Sequence, residues 1–194
     1  MLEVKRTRLL PSQRLRGFTL TELLTVITIV AVLAAVAVPS FRSLLLNQRL
    51  ASAASAMVSA LNLARSEAIK RSSRVSVLPA RAAWGTGWDV KVDAIDEPLL
   101  GFPGLEDGIA VDATTGNGFS GKVTYDPNGF ARDALGRFGA GCLAFKAATQ
   151  RRVAVIVSDT GRPRTCDPDR SGDCGSNECG AASPSSAPSS ARGP

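Results

Sequence analysis

Phe18-Thr19-Leu20-Thr21-Glu22-Leu23-Leu24-Thr25-Val26-Ile27-Thr28-Ile29-Val30, continued by Ala31-Val32-Leu33-Ala34-Ala35-Val36-Ala37-Val38, carries one charge, Glu22. Sixteen of these 21 residues are Phe, Leu, Val, Ile or Ala, and the other uncharged four are threonines. At 1.5 Å per residue a helix of that length spans roughly 30 Å, the hydrocarbon thickness of a bilayer. Ahead of it Lys5, Arg6, Arg8, Arg14 and Arg16 face only Glu3. Basic flanks stay cytoplasmic, so the pattern predicts a membrane span over 18–38 with the rest of the chain on the far side. A cleaved secretory signal ending at Ala35-Val36-Ala37 is the competing reading. The apolar run is longer than the usual 7–15 residues of such a signal, and it contains a carboxylate.

That carboxylate decides how the span is used. Glu22 inside an apolar helix costs on the order of 2–3 kcal/mol to insert, which marks it as functional and in need of a cation. The chain has no Lys or Arg between Arg16 and Arg42. The cation must come from another molecule or from a new amino terminus made nearby.

Composition removes several other classes. Of 194 residues, 23 are Lys or Arg and 17 are Asp or Glu, a formal net charge of +6. Most of the excess sits in the first seventeen residues, so a globally basic nucleic-acid binder is not implied. Histidine is absent, which excludes Ser-His-Asp, Cys-His and His-metal chemistry. Aromatic content of 5% is low for base-stacking platforms. Without a nucleophile–base pair, a membrane-anchored enzyme is a remote alternative, and no cofactor is expected.

Arg16-Gly17-Phe18-Thr19-Leu20-Thr21-Glu22 before a long apolar helix resembles the processing site of type IV pilins and type II secretion pseudopilins. The resemblance implies that a prepilin peptidase/N-methyltransferase cuts after Gly17, removing residues 1–17, and methylates Phe18. It implies that Glu22 pairs with the terminal amine of a neighbouring subunit, which supplies the missing cation. Pro39 matches the family's helix proline. Ala64-Arg65-Ser66-Glu67-Ala68, Trp84-Gly85-Thr86-Gly87-Trp88 and Gly161-Arg162-Pro163-Arg164-Thr165-Cys166 extend the likeness to the GspH/FimT branch. The implied fold is α+β and type IV pilin-like, one long amino-terminal helix packed on an antiparallel sheet. The implied partners are other pilin or pseudopilin subunits and inner-membrane lipid. The expected location is the inner membrane, with a cytoplasmic amino terminus and a periplasmic globular domain, and an extracytoplasmic filament.

Beyond Pro39, which should kink or locally open the helix, Leu46, Leu50, Ala54, Met57, Leu61, Ala64 and Ala68 recur at spacings of three and four. This predicts an amphipathic helix over 39–71, with Leu44-Leu45-Leu46 reserved for subunit contacts. A β-rich domain follows over 72–179, with candidate strands at 74–78, 88–92, 109–113, 122–125, 142–145 and 151–157. Short spacing and the lack of a second long helix favour antiparallel pairing. Trp84 and Trp88 read as packing residues. Gly116-Asn117-Gly118-Phe119-Ser120-Gly121 matches G-x-G-x-x-G but precedes a strand pattern, so it reads as a hairpin turn, not a nucleotide site. The Gly, Ala, Ser and Pro of 180–194 predict a disordered tail.

Cys142, Cys166, Cys174 and Cys179 fall on the oxidising side of the membrane and admit three disulfide connectivities. The expected pairs are Cys142–Cys166 across the sheet and Cys174–Cys179 around a small loop. Zinc is disfavoured because no C-x-x-C or His is present. Asp167, Asp169, Ser171 and Glu178, with Gly172, have the spacing of a calcium loop, but no helices flank it. The plainer reading is an acidic surface loop, and no metal is assigned.

Gly161-Arg162-Pro163-Arg164 follows the strongest strand. Pro163 biases Arg162 to extended geometry, and residues two apart on an extended chain point to one side, roughly 6.5–7 Å apart. That matches the phosphate spacing of a nucleic-acid strand. In the FimT branch such a segment is associated with DNA binding during uptake. The expected function is a minor pilin that contacts double-stranded DNA through Gly161, Arg162 and Arg164. The alternative is a pseudopilin of type II secretion, similar to its H component.

Overall fold

A computed structural model describes residues 17–95, 97–114, 118–139, 141–170, 172–175 and 179. The leader ahead of Gly17 and the tail over 180–194 lie outside the described residues. The chain divides into two compact units at 41/42.

Helix α1 (Leu20–Arg71) runs through Pro39 without ending there. In its second half Leu50, Ala54, Met57, Ala60, Leu61, Ala64 and Ala68 are buried, so the stripe read from the sequence is the packed face. Leu46 is only half-buried, and its Cδ2 fills the space that a Cβ on Gly108 would need. It therefore belongs to the packing, whereas Leu44 and Leu45 are exposed.

Among the described residues nine strands follow. They are β1 (Val75–Pro79), β2 (Trp88–Val92), β3 (Pro98–Phe102), β4 (Ile109–Val111), β5 (Val123–Tyr125), β6 (Ala131–Arg132), β7 (Gly141–Ala147), β8 (Arg152–Val157) and β9 (Pro163–Cys166). They form two sheets, ordered β3-β2-β1-β5-β6 and β4-β7-β8-β9, and every strand pairing is antiparallel. The expected helix against antiparallel strands is present, divided over two sheets.

Both sheets turn one face to α1. Val75, Val77, Val90 and Tyr125 of the first, and Leu143, Phe145 and Val155 of the second, join Leu50, Met57 and Leu61 in one core. Trp88 ties the sheets together, stacked on Phe102 with ring centroids 5.7 Å apart and tilted against Phe145 at 6.3 Å. The other face of the second sheet is apolar as well. There Cys142, Ala144, Ala154 and Cys166 cluster with Cys174 and Cys179. Coverage on both faces explains why β7 is buried at nearly every position instead of alternating. The first sheet leaves its outer face polar, where Ser76 Oγ donates to Asp93 Oδ1 at 2.6 Å and meets Thr124 Oγ1 at 2.9 Å.

Two expectations about loops change. Residues 118–121 form a 3-10 turn between β4 and β5, which lie in different sheets, so this is a crossover and not a hairpin. Phe119 is buried in it and meets Trp84 edge-on at 5.8 Å, so the turn serves packing. Gly116 and Asn117 lie outside the described residues.

Candidate functional site

The amino-terminal site is built by the start of α1. Thr19 precedes the first helical residue, and its Oγ1 accepts the Glu22 N–H at 3.3 Å. This is the side-chain half of a capping box, with the glutamate at the third helical position. The remaining threonines of the apolar run are satisfied internally. Thr25 Oγ1 donates to Glu22 O, and Thr28 Oγ1 to Leu24 O, each at 2.8 Å. Hydroxyls bonded back to the preceding turn cost little in an apolar medium, which leaves the Glu22 carboxylate as the polar exception. Glu22 is exposed and next to the positive end of the helix dipole. Gly17 and Phe18 stand just before the cap and are exposed, and no atom lies near enough to touch a Cβ on Gly17. Pro39 falls in an exposed turn of the same helix.

The second candidate is the turn between β8 and β9. Gly161 N donates to Ser158 O at 2.8 Å, and Ser158 N to Arg162 O at 3.1 Å, closing a hairpin. Gly161 sits at φ 77. A Cβ there would collide with the Gly129 carbonyl oxygen and lie 3.1 Å from both Ala131 N and the Tyr125 ring. Gly161 is therefore a structural requirement of the buried turn. Arg65 of α1 holds the turn from below, its Nη2 donating to Thr160 O at 3.3 Å. Arg162 and Arg164 are both exposed. Pairing of Arg164 with Ile156 puts it on the outer face of the second sheet, and Arg162, two residues earlier, extends the same row. Arg164 Nη1 also donates to Asp173 O at 2.9 Å.

The third candidate is the loop after β9. The disulfides are Cys142–Cys179 and Cys166–Cys174, which corrects both expected pairs. The expected Cys142–Cys166 bond is forbidden by the order of the sheet. Cys142 lies on β7 and Cys166 on β9, with β8 between them. Two strand spacings separate them by roughly 9.5 Å, beyond the ~7 Å that a disulfide can bridge. The bonded pairs have Cα atoms 5.4 and 5.2 Å apart. The sulfurs of Cys166, Cys174 and Cys179 converge within 4.8 Å, but all are oxidised and offer no thiolate to a metal.

In the same loop Asp167 Oδ1 accepts the Asp169 N–H at 2.9 Å, and Asp173 Oδ2 accepts the Asp167 N–H at 2.6 Å. The Asp169 carboxylate is taken by the Arg152 guanidinium, which also reaches Asp112 Oδ2 at 3.4 Å. A cation of the protein itself thus occupies the centre of the calcium-like spacing. Ser171 and Glu178 lie outside the described residues. The hydrogen bond from Arg152 lowers the Asp169 pKa, against an opposing push from burial. Sequence reasoning treated Arg152 as a free surface charge beside Arg151. Its partners come from strand order and were hidden in the linear chain.

Comparison with known proteins adds two matches to family models. Residues 53–161 match the family described as type II transport protein GspH, and residues 13–38 match the prokaryotic N-terminal methylation motif. No curated protein sequence matches the chain. Among solved structures, the type IV minor pilin FimU of Pseudomonas aeruginosa PAO1 is similar, with a TM-score of 0.51 and 22% identity over 61% of this chain and 88% of that one. A second crystal form of FimU gives a TM-score of 0.49 and 23% identity over 60% and 91%. The first of these likenesses supports the fold, a long helix packed on antiparallel sheets. The family match covers more than half of the sequence, from the buried stripe of α1 to the Gly161 turn, and on that ground the chain belongs to the type II transport protein GspH family.

Proposed function

We propose that the chain is a minor subunit of a type IV pilus, a structural protein built into a filament anchored at the inner membrane. The reading is carried by the start of α1. A helix with a single charge begins two residues after Phe18, and its one carboxylate has no cation of its own chain within reach in sequence. Cleavage after Gly17 gives Phe18 a free, methylated amine. In a bundle of such helices the Glu22 of one subunit then neutralises the terminus of the next, which removes an otherwise costly buried acid. Basic residues ahead of the span keep the amino terminus cytoplasmic and place residues 42–194 in the periplasm. Oxidised cysteines in that unit agree with this topology.

Amino-terminal sequencing of the chain from membranes tests the reading. A mature start at N-methylated Phe18 is expected. A start at Met1 or Val38 overturns it.

A pseudopilin of type II secretion, similar to its H component, would share the processing site and the fold. The exposed Arg162 and Arg164 row favours the pilus and a weak, sequence-independent contact with double-stranded DNA phosphates.

A further inference from the structure

The strands at residues 123–139 end in a rigid apolar knob. Phe130, Leu135 and Phe138 are 42%, 75% and 59% exposed. The two phenylalanine rings meet edge-on at 6.0 Å, and the Arg132 guanidinium lies 4.2 Å over Phe138. Arg132 is itself held by Asp126 Oδ2 and the Gly136 carbonyl. Buried Asp133 accepts the N–H groups of Leu135 and Arg137 at 2.9 Å each, and Arg137 Nε at 2.7 Å. The apolar side chains are thus ordered in advance but left uncovered. Little further ordering is needed to bury them, and aromatic rings beside arginine are the residues that anchor interfaces.

The opposite edge of the first sheet carries a hole. A cavity of about 120 Å³ opens between α1 and the chain after β3, lined by Ala53, Ala56, Trp88, Phe102, Leu105 and Ile109. The indole N–H of Trp88 is buried with no partner. Glu106 lines the cavity with its side chain 64% exposed, and Arg137 on the knob is 66% exposed. Opposite charges therefore flank the two surfaces.

β6 and β3 are the two edges of one sheet, so knob and hole cannot coincide. They also stand at different heights on α1. The chain leading into Phe130 abuts Ile69 in the last turn, whereas the cavity borders residues 49–56. A contact joining two different patches is heterologous, and repeated without closure it produces an open helical array and not a two-fold dimer.

We propose that the 130–138 knob of one copy docks in the Trp88 cavity of a second copy, with Arg137 facing Glu106. The proposal rests on the filament reading above. It adds a lateral contact between globular units to the contacts made by the apolar helices.

Two differently tagged full-length chains, one Leu135→Cys and one Ser52→Cys, are produced together in cells that assemble the filament and treated with a short bismaleimide. A product carrying both tags is expected. Arg137→Glu on the first chain, or Glu106→Arg on the second, should each reduce it at least fivefold, and the two together should restore it. The proposal is overturned if no such product forms, if Lys146→Cys on the second sheet replaces Ser52→Cys with equal yield, or if the knob cross-links only to a different subunit. Leu45→Cys on both chains separates the two readings. Cross-linking through α1 without the knob product removes the docking contact and leaves the filament standing. Loss of both products, with the chain absent from sheared filaments, removes both.

Discussion

Arg152 on β8 donates to the carboxylate of Asp169, in the loop between Cys166 and Cys174, and so fastens that loop to the sheet. The same guanidinium reaches Asp112, which is buried at the end of β4. Four elements of the chain distant in sequence therefore meet at one side chain, on the face that the disulfides cover.

The first prediction concerns this tie. Arg152→Gln leaves the buried Asp112 without its cation, and an uncompensated buried polar group costs about 1–3 kcal/mol. Asp169 is half exposed, so its share is small. Its folded pKa is lowered by Arg152, so its contribution is complete above the unfolded value of about 3.9. It is lost as pH falls through the folded value. Thermal melts of the detergent-solubilised chain should show the wild type losing stability below about pH 4. The Arg152→Gln chain should be less stable at neutral pH and flatter across that range. Equal acid sensitivity in both would refute the tie.

The second prediction concerns the disulfides. Cys142–Cys179 spans 37 residues in sequence and Cys166–Cys174 spans 8. Loop-closure entropy then makes the long bridge worth about 3.8 kcal/mol and the short one about 2.5 kcal/mol. Removing Cys142 and Cys179 together should lower the melting temperature more than removing Cys166 and Cys174. Peptide mapping without reductant should recover 142 joined to 179. Recovery of 142 joined to 166 would contradict the sheet order.

The edges of the sheets mark where the sequence stopped being legible. Expected strands at 88–92, 122–125 and 151–157 correspond to β2, β5 and β8, all flanked on both sides. The three strands that went unseen, β3, β6 and β9, are all sheet edges. Two of them begin with a proline, Pro98 and Pro163, which reads as a turn signal in a linear chain. On an edge a missing N–H disrupts no ladder and discourages pairing with a stranger. The third, β6, has only two residues. The helix stripe was legible because its burial depends on its own period. The disulfide pattern was not, because it depends on β8 lying between β7 and β9. Gly161 was read as part of a binding segment, but its role is set by the Gly129 carbonyl, a contact across 32 positions that spacing does not encode.

The third prediction follows from that contact. Gly161→Ala needs a left-handed backbone and room that Gly129 and Tyr125 occupy. A loss of at least about 2 kcal/mol is expected, from strain and overpacking together. Arg162→Ala and Arg164→Ala, both exposed, should each change stability by less than about 0.5 kcal/mol. Urea unfolding of the three variants separates the structural glycine from the functional arginines. A neutral Gly161→Ala would refute the packing argument.

The fourth prediction tests those arginines. In a DNA shift assay the full chain should bind weakly at low salt and without sequence preference. Arg162→Ala combined with Arg164→Ala should remove that binding. Should residual binding remain, the slope of log affinity against log salt should fall by about 1–2, one unit for each phosphate released. Absence of binding by the wild type at low salt removes the DNA contact from the reading and leaves the filament subunit intact.

The fifth prediction asks what Glu22 is for. Two roles compete at this position. In one, Glu22 completes the cap begun by Thr19, whose Oγ1 already accepts the Glu22 N–H. In the other, its charge pairs with the amine of a neighbouring Phe18. Glu22→Gln separates them, because glutamine serves in a capping box but carries no charge. Under the capping role, Glu22→Gln assembles like the wild type, and Glu22→Ala loses about 1 kcal/mol of helix stability. Under the pairing role, both variants insert more readily, since each removes an acid costing on the order of 2–3 kcal/mol in the membrane. Both also drop out of the filament. We expect the second pattern, with Gln and Ala variants cleaved after Gly17 but reduced at least tenfold in the sheared fraction relative to the membrane pool. Normal incorporation of Glu22→Gln would assign the glutamate to its own helix and end the argument for a paired neighbour.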